Sequence, residues 1–159
     1  MRLRERIGWV RGRRTSDEGS AVVEFVSLGV LMLLPMVYLV VTMGRLQAAA
    51  YATDSSARAA ARAVVTSDTE ATGLARAEAE VQLGLQDQGF DAEPSAALTI
   101  TCSASPCLTP EGRVEATVTV DVVLPGVPAF LDEAIPTHVP VTARQVAMVD
   151  RFRSHSVAP

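Results

Sequence analysis

Hydrophobic and polar positions divide this chain into three stretches of different period. Residues 20–44 carry one charge, Glu24, and residues 25–44 are an uncharged run of 20, about what a helix needs to cross the ~30 Å hydrocarbon core of a bilayer. Leu28, Leu31, Leu34 and Val41 lie around the same helix as Val30, Leu33, Val37, Leu39 and Val40. The run is therefore apolar on all sides, which predicts a membrane span rather than a one-sided surface helix. A secretory signal is the competing reading, with Ala48-Ala49-Ala50 as its cutting site. Its apolar region is normally about 7–15 residues, shorter than this run, and Asp17-Glu18 is a poor flank for it, so a retained anchor is expected. Pro35 removes a backbone hydrogen bond to Leu31 and bends or loosens the helix there.

Beyond the span, residues 45–65 are alanine-rich and continue as helix, with Asp54 and Arg58 at i,i+4 spacing. Leu46, Ala50, Ala57, Ala60, Ala61 and Val64 fall near one face. Small side chains there either admit another helix at close range or line a solvent-exposed stalk. Together the span and extension predict a rod of roughly 70 Å. Ser67-Asp68-Thr69-Glu70 reads as a capping box opening a second helix that stops near Gln88, with Gly89 as its left-handed end. Ala71, Leu74, Ala77, Val81 and Leu85 repeat at helical spacing as its core face.

The period then changes to two. Val114, Ala116, Val118, Val120, Val122 and Leu124 alternate with polar residues, as in a strand buried on one side. Leu98, Ile100 and Cys102 give a shorter partner. Val139, Val141 and Ala143 begin a third strand, but Val146 and Met148 continue on the opposite parity, which predicts a bulge near Arg144-Gln145. Pro140 assigns this strand to an edge. Between the second and third strands, Pro125, Pro128, Pro136 and Pro140 frame a loop displaying Phe130, Leu131 and Ile135. That loop is either a lid over the small core or a contact surface for a neighbour, and the lid is favoured. The expected architecture is α+β: one N-terminal transmembrane helix extended into a long stem, a second helix, and a small three-stranded antiparallel sheet.

Size and charge narrow the function. At 159 residues the chain has room for one span and one small domain, too little for a deep cleft. All 14 basic residues are Arg, and Lys and Asn are absent; both missing types use A/T-rich codons, which points to a GC-rich bacterial genome. Residues 1–19 hold six Arg against Glu5, Asp17 and Glu18, a balance of +3, whereas residues 45–159 hold eight Arg against 14 acids, a balance of −6. Basic residues beside a span favour the cytoplasmic side, so the leader is expected inside and the C-terminal domain outside. No second basic patch or aromatic platform accompanies the leader, which argues against a nucleic-acid partner.

Candidate chemistry is sparse. Cys102 and Cys107 are the two cysteines; their spacing is not that of a C-x-x-C redox pair, and with no nearby His they cannot complete a zinc site. Outside the membrane they are expected to form a disulfide. His138 and His155 stand in no H-E-x-x-H arrangement, and there is no nucleophile elbow, P-loop or dinucleotide fingerprint. Asp132-Glu133 reads as a solvated corner. The chain reads as a non-enzyme without catalytic, cofactor or metal residues.

Glu24 needs a reason, because a carboxylate in an apolar helix costs roughly 2.5–3.5 kcal/mol at the bilayer centre and less near the interface. Its place one turn inside the helix start, near headgroups and the positive end of the dipole, makes it tolerable. Its neighbours also form a pattern. A basic leader ends in Gly19, Ser20 follows, Glu24 is the fifth residue after that glycine, and Phe25 opens the apolar run. This resembles the processing site of type IV prepilins. More narrowly, Gly19-Ser20-Ala21-Val22-Val23-Glu24-Phe25, with Gly44-Arg45 closing the span and an Ala/Arg-rich extension beyond, resembles the TadE family of minor pilins or pseudopilins in Tad (Flp-type) pilus systems. The resemblance covers roughly residues 17–65. Family members often carry Glu-Tyr where this chain has Glu24-Phe25, so the aromatic is kept without the phenol hydroxyl.

The resemblance implies cleavage between Gly19 and Ser20 by a prepilin peptidase, a role for Glu24 and Phe25 in assembly, and partners among other Tad pilins and pseudopilins, the Tad membrane platform and the lipid bilayer. Adhesion would be the downstream outcome. The residue pattern and charge balance together divide the chain into five expected parts: a basic cytoplasmic leader (1–19), a transmembrane helix (20–44), an extracytoplasmic helical extension (45–66), a small α+β extracytoplasmic domain (67–150) and a tail (151–159). The protein would be a single-pass cell-membrane protein. The alternative, which treats Gly19 and Glu24 as accidents, is a membrane-anchored extracytoplasmic binding or envelope-scaffold domain unrelated to pili. A secreted enzyme released after Ala50 is the third reading.

Overall fold

The computed structural model describes residues 17–125 and 137–153, with side chains from residue 21 onward. It is α+β in the order α1 (Asp17–Thr66), α2 (Glu70–Gln86), α3 (Pro94–Ala97), β1 (Leu98–Cys102), β2 (Arg113–Val123) and β3 (His138–Met148). The strands form one antiparallel sheet in the order β1-β2-β3. The chain divides into two compact units, Met1–Tyr38 and Leu39–Pro159.

The first unit contains the beginning of α1, with Pro35 inside the helix. Its large apolar side chains are exposed, among them Phe25, Leu31, Leu34 and Val37. Among the described residues α1 is the one helix long and apolar enough to cross a membrane, and its most apolar stretch buries nothing within the chain.

The second unit takes in the expected extension of residues 45–66 as part of its core. Ala49, Ala52, Ala57, Ala60, Ala61 and Val64 of α1 are buried and pack with Ala77, Val81 and Leu85 of α2 and the inward residues of β2. This corrects both expectations for the small-residue face: it is neither open stalk nor a surface left for another molecule's helix. Its own chain fills it. Ala50 is exposed and Leu46 is half-buried, because the buried stripe runs through Ala49 and Thr53 instead.

The helical pair is antiparallel and close. A Cβ at Gly73 would stand 3.1 Å from Val64 Cα, and one at Gly84 would stand 2.3 Å from Ser56 Oγ. Both glycines thus let the backbone of α2 approach α1. The inward face of α2 is consequently Gly73, Ala77, Val81 and Leu85, and the expected Ala71 and Leu74 are exposed.

The predicted cap shifts by two residues for a physical reason. The hydroxyls of Thr66 and Ser67 donate back to the carbonyls of Arg62 (2.8 Å) and Ala63 (2.7 Å), so both serve the end of α1. The next free hydroxyl is Thr69, which caps α2 by accepting from the Thr72 N–H at 3.2 Å while the Thr69 N–H donates to Thr72 Oγ1 at 3.3 Å. At the other end Gly89 has φ +72°. The Phe90 N–H reaches the Leu85 carbonyl and the Gly89 N–H the Gln86 carbonyl, both at 2.9 Å, the paired closure of a Schellman end.

In the sheet β2 alternates as expected, with Val114, Ala116, Val118, Val120 and Val122 buried. β3 pairs with it in unbroken register from Arg113↔Met148 to Val123↔His138, so no bulge occurs at Arg144-Gln145. Val146 and Met148 instead face outward, 56% and 61% exposed. Gln145 takes the inward position because its amide donates to Asp54 Oδ1 at 2.6 Å. The irregularity lies just before the start of β2, where Glu111 (φ +64°) and Gly112 both bond Val149. β3 is an edge strand, as Pro140 requires. The proline-framed loop with Phe130, Leu131 and Ile135, and Asp132-Glu133 within it, lie outside the described residues, as does His155.

Candidate functional site

Gly19 and Ser20 lie in the helical backbone of α1, one turn or so before Glu24 and Phe25. Along the helical backbone position 20 lies one turn before Glu24, and Phe25 follows Glu24 about 100° further round the helix. Glu24 is exposed and Phe25 is 78% exposed. The carboxylate and the ring therefore project from the start of the apolar stretch toward whatever surrounds it. A bond cut between Gly19 and Ser20 would place a new ammonium at the first residue of that helix, within one turn of the Glu24 carboxylate.

Cys102, the last residue of β1, and Cys107, in the following loop, sit at disulfide distance, with Cα atoms 5.3 Å apart. The Cys107 N–H donates to Glu70 Oε1, tying this loop to the first turn of α2. Glu70 is thus not the second half of a capping box but a clamp on the cysteine loop.

Three further contacts tie parts of the chain that are distant in sequence. Arg153 donates through Nη1 to the Val65 carbonyl at 2.9 Å and through Nη2 to the Ser67 carbonyl. No basic residue stands in the last turn of α1, so this guanidinium supplies from 86 and 88 residues away what a local Lys or Arg usually does for a helix C-terminus. Arg45, at the end of the expected span, lies 5.8 Å from the centroid of Phe90, close enough for a cation–π contact. Asp54 joins two elements: it pairs with Arg58 at 3.2 Å and accepts from Gln145. An inward glutamine on a strand is the sequence feature that asks for such a partner.

Concavities in the second unit are shallow. The one lined by Phe90, Asp91, Glu93, Ala97, Thr119 and Asp121 holds about 300 Å³. Among the described residues no three His, Cys, Asp or Glu side chains gather as a metal site. No family model, curated protein or solved structure matches the chain.

Proposed function

We propose that this chain is a TadE-like minor pilin or pseudopilin, anchored in the cell membrane and taking part in assembly of a Tad-type (Flp) pilus, with adhesion as the downstream role. The observation that carries the reading is the entry to α1: in a helix long and apolar enough to span, the string Gly19-Ser20 stands in the first turn, with Glu24 and Phe25 exposed where the apolar stretch starts. In this reading the arginine-rich leader is cytoplasmic, the domain is extracytoplasmic, and prepilin peptidase cuts between Gly19 and Ser20. Glycine before the cut leaves the backbone open to a protease's catalytic carboxylates. In a low-dielectric helix bundle the Glu24 carboxylate of one subunit is then stabilised by the Ser20 ammonium of its neighbour. The chain works as an assembly component and not as an enzyme.

N-terminal sequencing of the membrane-extracted protein tests this directly, beside a pilus assay. Expected is a mature chain beginning at Ser20, a Gly19→Leu variant left at full length, and a Glu24→Ala variant that is cut but supports no pili. A wild-type chain beginning at Met1, or after Ala50, overturns the pilin reading. The second reading, an anchored extracytoplasmic binding or scaffold domain, gains support from one observation: the small-residue face of α1, which would suit stem-to-stem packing, is filled by the domain itself.

A further inference from the structure

The free edge of β3 is unusually complete. In an antiparallel pair, directly opposed residues alternate between bonded and non-bonded pairs. The Leu124 N–H bonds the Thr137 carbonyl and the Val149 N–H bonds the Gly112 carbonyl, each at 2.9 Å, so both ends of the β2–β3 ladder fix the same parity. Val139, Val141, Ala143, Gln145 and Ala147 turn their backbone groups to β2. His138, Pro140, Thr142, Arg144, Val146 and Met148 turn theirs outward. Pro140 is in the outward set, so its missing N–H leaves the ladder intact and blunts only the first part of the edge. From Thr142 to Met148 the edge keeps its donors and acceptors, and among the described residues no strand covers them.

Directly beneath this edge lies a cleft of about 240 Å³ between α1 and β3, lined by Arg58, Ala61, Arg62, Gln145, Val146 and Ala147. Arg58 is paired with Asp54, and Arg144 stands 3.9 Å from Glu115. Arg62 is exposed and has no ion-pair partner among the described residues. On this helix side two guanidinium groups, Arg58 and Arg62, face one carboxylate, Asp54, which makes the cleft positive in a domain whose balance is −6. A second copy pairing through the same edge would bring Arg58, Arg62 and Arg144 against their own images, which electrostatics disfavours.

We propose that the Thr142–Met148 edge is a docking site for an extended acidic segment of another protein, which adds as a fourth strand. The incoming main chain bonds the outward N–H and C=O groups, in the manner of strand addition. Its acidic side chains on the helix side meet Arg62 and Arg58, and its apolar side chains on the other side lie along Val146 and Met148. This surface is independent of the pilin reading and of any cut after Gly19.

The test uses the full chain in detergent micelles with two end-blocked hexapeptides, one alternating Glu and Val, the other Lys and Val. The acidic peptide is expected to slow amide exchange at Thr142, Arg144, Val146 and Met148 while leaving the odd-numbered residues of β3 unchanged. It should bind at least about ten-fold more tightly than the Lys peptide. Arg62→Glu should abolish that preference with the fold intact. Val146→Pro, which removes an outward donor only, should abolish binding with little change in melting temperature. Equal binding of both peptides, no binding of the acidic one, or protection elsewhere than the outward set would overturn the proposal. So would protection of that set without peptide that rises with protein concentration, since it would mean that a second copy occupies the edge.

Discussion

Ser56 and Gly84 offer a sharp test of how α1 and α2 approach. Ser56 is 1% exposed and its hydroxyl has no hydrogen-bond partner among the described residues. Removing it by Ser56→Ala lifts the penalty of an unpaired buried hydroxyl, which is about 1–3 kcal/mol; a stabilisation of about 1 kcal/mol is expected. Gly84→Ala alone gains about 1 kcal/mol of helix propensity. Against this, the new Cβ would stand 2.3 Å from Ser56 Oγ, and overpacking of this kind costs about 1–3 kcal/mol. The single variant should therefore be destabilised by up to about 2 kcal/mol. In the Ser56→Ala background the nearest atom becomes the residue-56 Cβ at 3.5 Å, an ordinary contact, and Gly84→Ala should stabilise by up to about 1 kcal/mol. The assay is a double-mutant cycle by thermal or urea unfolding of the detergent-solubilised chain, in which 1 kcal/mol shifts the midpoint by roughly 4 °C. The expected coupling is about 2 kcal/mol. A coupling below about 0.5 kcal/mol would mean that the Ser56 hydroxyl rotates to the Ala52 carbonyl, as Thr53 does to Ala49, and would refute the packing argument.

Gly73→Ala should destabilise by up to about 2 kcal/mol and resist rescue by Val64→Ala, because its Cβ would meet the Val64 backbone at 3.1 and 3.3 Å; urea midpoints read both. Arg153→Ala should lose about 1.5 kcal/mol of charge-assisted hydrogen bonding and speed hydrogen exchange in the last turn of α1, and Arg153→Lys should restore only part of it because the guanidinium fork is gone. Replacing both cysteines by Ala should lower stability by about 2 kcal/mol on the loop-entropy model; mass spectrometry of exported wild-type protein should find both thiols oxidised, and free thiols would defeat the assignment. A reporter active only in the cytoplasm, fused after Pro159, should be silent, and strong activity would reverse the topology.

Legibility in the sequence followed how local each determinant is. The alternation that starts at Val114 reports burial on one face directly, so β2 is readable in place and facing, and only its end differs, at Val123 rather than Leu124. In β3 the apolar pattern points Val146 and Met148 inward, whereas both face outward. Their parity is set instead by Gln145, whose partner Asp54 is 91 residues away. The cap of α2 falls two residues later than the pattern suggests because three hydroxyls within four residues compete, and which group each one bonds depends on where α1 stops. α3 has no signal in the pattern: Glu93-Pro94 is a good start, with Pro at the first helical position, but four residues carry no period. The cysteine pair was legible from count and spacing, whereas the Glu70 clamp on Cys107 was not, since an acidic residue in a first helical turn already has a sufficient local explanation. For the candidate site, Gly19, Ser20, Glu24 and Phe25 are legible as a string along one helix, and their roles rest on chemistry beyond that helix.

α1 solves two different problems along its length. In its apolar stretch large side chains project on every side, and so much exposed apolar surface is stable only against lipid or other helices. From Ala49 onward the buried stripe is Ala, Ser and Thr up to Val64, because α2 and the sheet must come close enough for Gly73 and Gly84 to touch it. The exposed positions in that part include Tyr51, Ser55, Arg58 and Arg62, a mainly polar strip. Any association with a neighbour through α1 therefore has two surfaces available, the apolar stretch and this polar strip. A loss of assembly on enlarging Ala57 or Ala60 would report an overpacked domain, because both are fully buried within the chain. The same loss on changing Tyr51 or Arg58, with stability unaltered, would report a contact between molecules.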